Sequence, residues 1–113
     1  MEYGSYSLLL FPLTGIIFVL LGIPLKRDKI PPNMWYGFRT PKTLSNEKTW
    51  YEVNRIAGQD MITAGLAIVV VSIPTILFHD RIGSMWSHMI LTAVTLVMII
   101  RMAINGFSIL RKF

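Results

Sequence analysis

Apolar residues in this chain run in long unbroken blocks, not at the spacing of a surface helix or the alternation of a half-buried strand. Three blocks contain no Asp, Glu, Lys or Arg: residues 3–25, 61–78 and 82–100. At about 1.5 Å per residue each is long enough, as a helix, to cross the hydrocarbon of a bilayer. Hydrocarbon offers the backbone no water, and a helix satisfies such a stretch from within. The expectation is an all-α integral membrane protein, one domain over residues 1–113. Its spans fall near 3–25, 57–78 and 82–101, with an ordered cytoplasmic loop at 26–56 between the first two.

The interruptions refine this plan. Pro24 is placed to end the first span as Lys26 and Arg27 reach the headgroups, and Pro12 to kink it. Pro31, Pro32, Asn33, Gly37 and Pro41 make the following segment rich in turns. Met34, Trp35, Tyr36 and Phe38 are too dense for a solvated linker, so the loop is expected to rest on the membrane. Thr43 or Ser45 can cap a helix that starts near Asn46 and runs without a breaker to Pro74. Along it Gly58, Gly65 and Ser72 recur every seven residues, a small-residue stripe for close approach of another helix, in a partner or a second copy. The connection at His79, Asp80 and Arg81 is short enough to force an antiparallel hairpin. Ser84, His88, Thr92 and Thr95 share a face expected to look inward.

Composition supports the membrane assignment, with 53% hydrophobic and 15% charged residues. With no cysteine, disulfides, thiol catalysis and thiolate metal sites are excluded. The net charge of +5 does not point to nucleic acid, because ten of the eleven basic residues fall in the first loop or after the third span. Only Arg81 lies in the other connection. The positive-inside rule then puts the N-terminus outside and the long loop and C-terminus in the cytoplasm. Met1 and Glu2 provide no basic leader end, so the first span is expected to be retained.

The most informative stretch is Asn33-Met34-Trp35-Tyr36-Gly37-Phe38-Arg39-Thr40-Pro41, followed by Trp50, Asn54 and Arg55 on the next helix. Gly37 on one side and Thr40-Pro41 on the other hold Arg39 at a bend, where its guanidinium suits a planar anion. A lipid phosphate, a peptide carboxylate, or Glu47 or Glu52 of the same chain would serve, the last two as a salt bridge locking the loop to the second helix. Trp35 and Trp50 fit interface anchoring or packing better than a ligand platform. Asn54 suits hydrogen bonding to loop carbonyls, or a ligand cavity. His88 is the intramembrane polar candidate, either a proton or ligand site or a neutral imidazole bonded between helices. His79 and His88 lack metal-ligand spacing, and no nucleophile stands with a base, so neither metal, cofactor nor catalysis is expected.

The run from Asn33 to Gly58 resembles the Sdp-immunity family of SdpI-like membrane proteins. Their signature places an Asn and an aromatic before Gly-aromatic-Arg-Thr-Pro, then a Trp and a polar-basic pair on the next helix. The resemblance spans roughly residues 20–110 and matches a short single-domain form. It implies a bacterial inner-membrane protein that protects against a secreted antimicrobial peptide. In the founding member it also implies sequestration of a cytoplasmic repressor. The corresponding ligand- or partner-binding candidates are Asn33, Trp35, Tyr36, Gly37, Arg39, Thr40, Trp50, Asn54 and Arg55. Two other readings stand beside it: an anionic-lipid-binding or transport module using Arg39, Lys42 and Arg55, and a structural partner packed through the glycine stripe.

Overall fold

A computed structural model describes residues 3–113; Met1 and Glu2, on which the missing leader end rests, lie outside the described residues. The described residues contain helices and no strand. A 3-10 helix, Tyr3–Leu9, leads into α1, Leu10–Lys26. One turn, α2, covers Pro41–Leu44, followed by α3, Glu47–Leu77. A further turn, α4, spans His79–Ile82 before α5, Ser84–Leu110. Three segments, Ser5–Lys26, Glu47–Leu77 and Ser84–Leu110, are long and apolar enough to cross a membrane. The bundle measures 51 × 23 × 19 Å, its long axis exceeding the roughly 40–45 Å of a bilayer with headgroups.

The prolines act at helix ends. Pro12 falls in the first turn of α1, where no intrahelical donor is required, just after the switch from 3-10 to α geometry. Pro24 lies in the last turn, and its carbonyl accepts from the Lys29 amide at 2.9 Å as the chain leaves the helix. The cap of α3 is Asn46, whose side chain accepts from the Thr49 amide at 3.2 Å, in place of the expected Thr43 or Ser45. Thr43 is drawn instead into a capping box with Thr40. Gly83 closes the hairpin at φ +92°, in the left-handed region that glycine favours.

The core is the seam between α1 and α3. Gly15 and Gly22 of α1 meet Gly65 and Gly58 of α3 so closely that a methyl group at any of these positions would strike opposing backbone; at Gly58 it would lie 2.5 Å from the Lys26 nitrogen. At Gly58 and Gly65 the small-residue stripe is therefore covered by the chain's own first helix. Trp50, Val53, Ala64 and Ile68 are buried along α3, with Leu25 at the end of α1.

Helix α5 is held more sparingly, with only Ser87, Leu91 and Gly106 buried. The expectation that Ser84, His88, Thr92 and Thr95 form the inward face is corrected at Ser84 and Thr92, which are exposed; His88 and Thr95 are part-buried, and Ser87 and Leu91 are the residues of α5 buried in the bundle here. Backbone bonding removes the need to bury such hydroxyls, as where Thr95 Oγ1 donates to the Leu91 carbonyl at 2.8 Å. The helix also continues past residue 101, because nothing in the next two turns breaks it. Arg101 is thus a residue within α5, not one following the third span.

Candidate functional site

The segment between α1 and α2 folds by local side-chain-to-backbone bonding. Asn33 Oδ1 accepts from the Trp35 and Tyr36 amides at 2.8 and 3.0 Å, and its Nδ2 donates to the Pro31 carbonyl at 2.8 Å. These bonds mimic a backbone turn, the usual use of Asn in such a position. Gly37 follows at φ +114°, and a methyl there would lie 2.8 Å from Asn54 Oδ1 and 3.0 Å from the Trp50 ring. Both the dihedral and the space require glycine. The Thr40 and Thr43 side chains then bond reciprocally to each other's backbone amides, at 3.1 and 2.8 Å, with Pro41 at the first helical position of α2.

Two buried residues of α3 clamp this loop. Trp50, 0% exposed, donates its indole N–H to the Ile30 carbonyl at 2.9 Å. Asn54, 1% exposed, accepts from the Phe38 amide at 2.5 Å and donates to the Trp50 carbonyl at 3.0 Å. Thr43 Oγ1 also donates to the Phe38 carbonyl at 3.0 Å. The other side of the loop meets α5: the Phe38 ring packs edge-on against Phe107 at 5.1 Å and fills the space above Gly106. Lys42 Nζ donates to the Leu110 carbonyl at 3.1 Å, capping the C-terminal end of α5 where the helix dipole favours a cation. Tyr36 is half-buried, and burial pushes its phenol above the usual range, so the ring stays neutral.

The nine sequence candidates divide by role. Asn33, Gly37, Thr40, Trp50 and Asn54 build and hold the loop. Arg55 pairs with Asp28, its Nη2 lying 2.8 Å from Asp28 Oδ2, which fixes the exit of α1 to α3. Arg39 donates to the Met34 carbonyl and, among the described residues, forms no ion pair. The salt bridge to Glu47 or Glu52, one of the alternatives open for Arg39, is not made; Glu52 lies 3.9 Å from Lys48. Trp50 and Asn54 do the locking assigned to that bridge. Trp35 is 87% exposed and Met34 69% exposed, beside an exposed Arg39.

Away from the loop, His88 is bonded between two segments. Its Nδ1 lies 2.7 Å from the Ser84 carbonyl, which can only accept, so a neutral ring carries its proton there. Nε2 is then the acceptor for the Ser7 hydroxyl at 2.5 Å, tying the 3-10 helix to α5. Sequence reasoning did not single out Asp60, which is 6% exposed in the α3–α5 seam. Asn105 Nδ2 donates to its two oxygens at 3.3 and 3.2 Å, and Arg101 lies 3.8 Å away. An acid one residue before the second apolar block, opposite an Arg and an Asn four apart on α5, was the available signal.

The SdpI/YfhL protein family matches residues 29–104, which take in the clamped loop from Lys29, all of α3 and most of α5. The chain belongs to this family. It is also 37% identical over 57 residues to a Bacillus subtilis (strain 168) protein named "Uncharacterized protein YfhL", a match covering 48% of this chain and 50% of that protein. The chain thus spans about half the length of that curated relative. No solved structure matches. The motif that carries the family resemblance is largely the hydrogen-bonded framework of the loop, with Arg39 and Trp35 projecting from it.

Proposed function

We propose that this SdpI-family protein is a non-enzymatic immunity protein of the bacterial inner membrane, giving resistance to a secreted antimicrobial peptide, with the loop as its recognition element. The observation that carries this reading is Arg39: exposed, held by the Met34 carbonyl on a clamped loop, and without a carboxylate partner among the described residues. An internal salt bridge would have made it a structural residue. Its absence leaves a pre-positioned guanidinium facing outward, able to engage a carboxylate or phosphate. The loop and the C-terminal end of α5 lie at the same end of the bundle, joined by Lys42 and Leu110, so ten of the eleven basic residues gather toward that end. By the positive-inside rule that end is cytoplasmic and the N-terminus outside. A cytoplasmic recognition loop also suits signalling through a repressor held at the membrane.

The test is survival of a toxin-sensitive host expressing the chain under challenge by secreted antimicrobial peptides, beside Arg39→Ala at equal protein level. Protection lost in the variant, with the membrane level unchanged, is the expected result. If the variant protects as well as the intact chain, Arg39 has no part in recognition.

A further inference from the structure

The loop sits at a depth that can be fixed from the helix seam. Apolar α1 ends at Leu25 and Lys26, and the Lys26 backbone lies against Gly58 of α3. Asn54 and Trp50, which clamp the loop, are one and two turns further out along α3, about 6 and 12 Å beyond that level. The headgroup layer of one leaflet is about 5–8 Å thick. The loop therefore lies at or just outside headgroup depth, whichever way the bundle is oriented.

At this depth the loop presents an unusual pair. Met34 and Trp35 are apolar, adjacent and 69% and 87% exposed, although the turn that carries them is fixed by Asn33. Among the described residues, no packing covers either side chain. Beside them stands Arg39, bonded to the carbonyl of Met34 itself. The neighbouring acid Asp28 is engaged by Arg55, so it does not neutralise the tip. Lys29 is exposed as well. An apolar wedge with an indole ring, bordered by cations at headgroup depth, is complementary to an anionic leaflet: the ring seats at the headgroup level, and the guanidinium takes a lipid phosphate.

We propose that the Met34–Trp35 tip and Arg39 form a lipid-reading element that docks the loop onto an anionic leaflet, with Arg39 binding the phosphate. This is narrower than a basic patch. Arg55 has no part, being held by Asp28, and Lys42 is turned to the end of α5. The inference stands apart from protection, since its readout contains no toxin.

The full chain is reconstituted in vesicles of phosphatidylcholine with and without phosphatidylglycerol, in a Trp86→Phe background that removes the tryptophan at the opposite end. Subtracting the Trp35→Phe spectrum isolates Trp35 from buried Trp50. Trp35 is expected to be quenched by shallow-brominated lipid and shielded from iodide in the buffer. Quenching by iodide without quenching by bromolipid overturns the proposal. Native mass spectrometry of the chain released from mixed bilayers is expected to show phosphatidylglycerol enrichment, falling about fivefold in Arg39→Gln, the weight of one cation near an acidic leaflet. Unchanged enrichment in that variant overturns the role of Arg39. Trp50 emission, unchanged, verifies that the variant is folded. Inorganic phosphate added to the protein in detergent is expected to leave Trp35 emission unshifted; a shift equal to that in anionic vesicles would show that free phosphate, not a lipid surface, is the occupant.

Discussion

Replacing Asn54 with alanine should open the loop while leaving the helices in place. The side chain makes three bonds, but their removal is unequal. The Phe38 carbonyl keeps the Thr43 hydroxyl at 3.0 Å, and the Trp50 carbonyl lies within the continuous helix α3. The Phe38 amide, bonded to Asn54 Oδ1 at 2.5 Å, loses the acceptor that fixes it. A part-buried donor left without a partner costs about 1–3 kcal/mol. At 1.4 kcal/mol per tenfold, the population of the opened loop should rise about 5- to 150-fold. Where opening and closing outpace cleavage, proteolysis follows that population. Limited trypsin digestion in bilayer discs, scored at Arg39 and Lys42, should accelerate by the same factor, with cleavage at exposed Arg111 and Lys112 as the internal control. Asn54→Asp keeps the acceptor but loses the amide donor and places a charge at a site 1% exposed, so it should open the loop too. Cleavage at Arg39 and Lys42 indistinguishable from the unmodified chain would refute the clamp.

Other substitutions separate the remaining contacts. Gly65→Val should force α1 away from α3, because even a methyl at Gly65 collides with the Gly15 carbonyl; overpacking of this kind costs about 1–3 kcal/mol or more. Unfolding in a detergent-denaturant titration checks it, and an unshifted midpoint would contradict the seam. Asp60→Ala should weaken the α3–α5 seam by roughly 1 kcal/mol, the scale of an interhelical hydrogen bond in a membrane, while Asp60→Asn, which keeps an acceptor toward Asn105, should lose less. Equal losses in the same titration would show that the charge, through Arg101, matters more than the hydrogen bond.

Much of this architecture was readable from one property of the chain, the length of its charge-free blocks, because in hydrocarbon that property leaves helix as the one solution. The close approach at Gly58 and Gly65 was also readable, but not its occupant. A glycine stripe says that a backbone comes near; it does not say whose. The matching glycines, Gly15 and Gly22, are themselves seven apart and were present in the sequence, so pairing the two stripes was the missing step. In the loop, residue types showed that Asn33, Gly37 and Thr40-Pro41 meant turns, yet their partners lie elsewhere in the chain. Asn54 and Trp50 bond to residues 16 and 20 positions away, and the Ser7–His88 bond joins residues 81 apart. Such pairings depend on how helices are set against one another, which a local pattern does not encode. At Arg39 the residue types left several anions open, and the fold makes no salt bridge to two of them, Glu47 and Glu52.

The fate of the three cations once grouped together, Arg39, Lys42 and Arg55, narrows what the loop can be for. Arg55 is neutralised by Asp28, and Lys42 caps α5, so each has a structural task that explains its charge. Arg39 has a hydrogen bond to Met34 but, among the described residues, no opposite charge. Losing that single exposed bond costs the fold little beside the contacts of Trp50 and Asn54, which clamp the same segment without it. A loop stabilised independently of its arginine permits Arg39 to be changed without collapse. Function and folding can then be separated at this residue in a way that they cannot be at Asn54, where any change alters both. Arg39→Ala and Asn54→Ala should therefore give different phenotypes: a protein still resistant to trypsin at Lys42 but deficient in binding for the first, and an opened loop for the second.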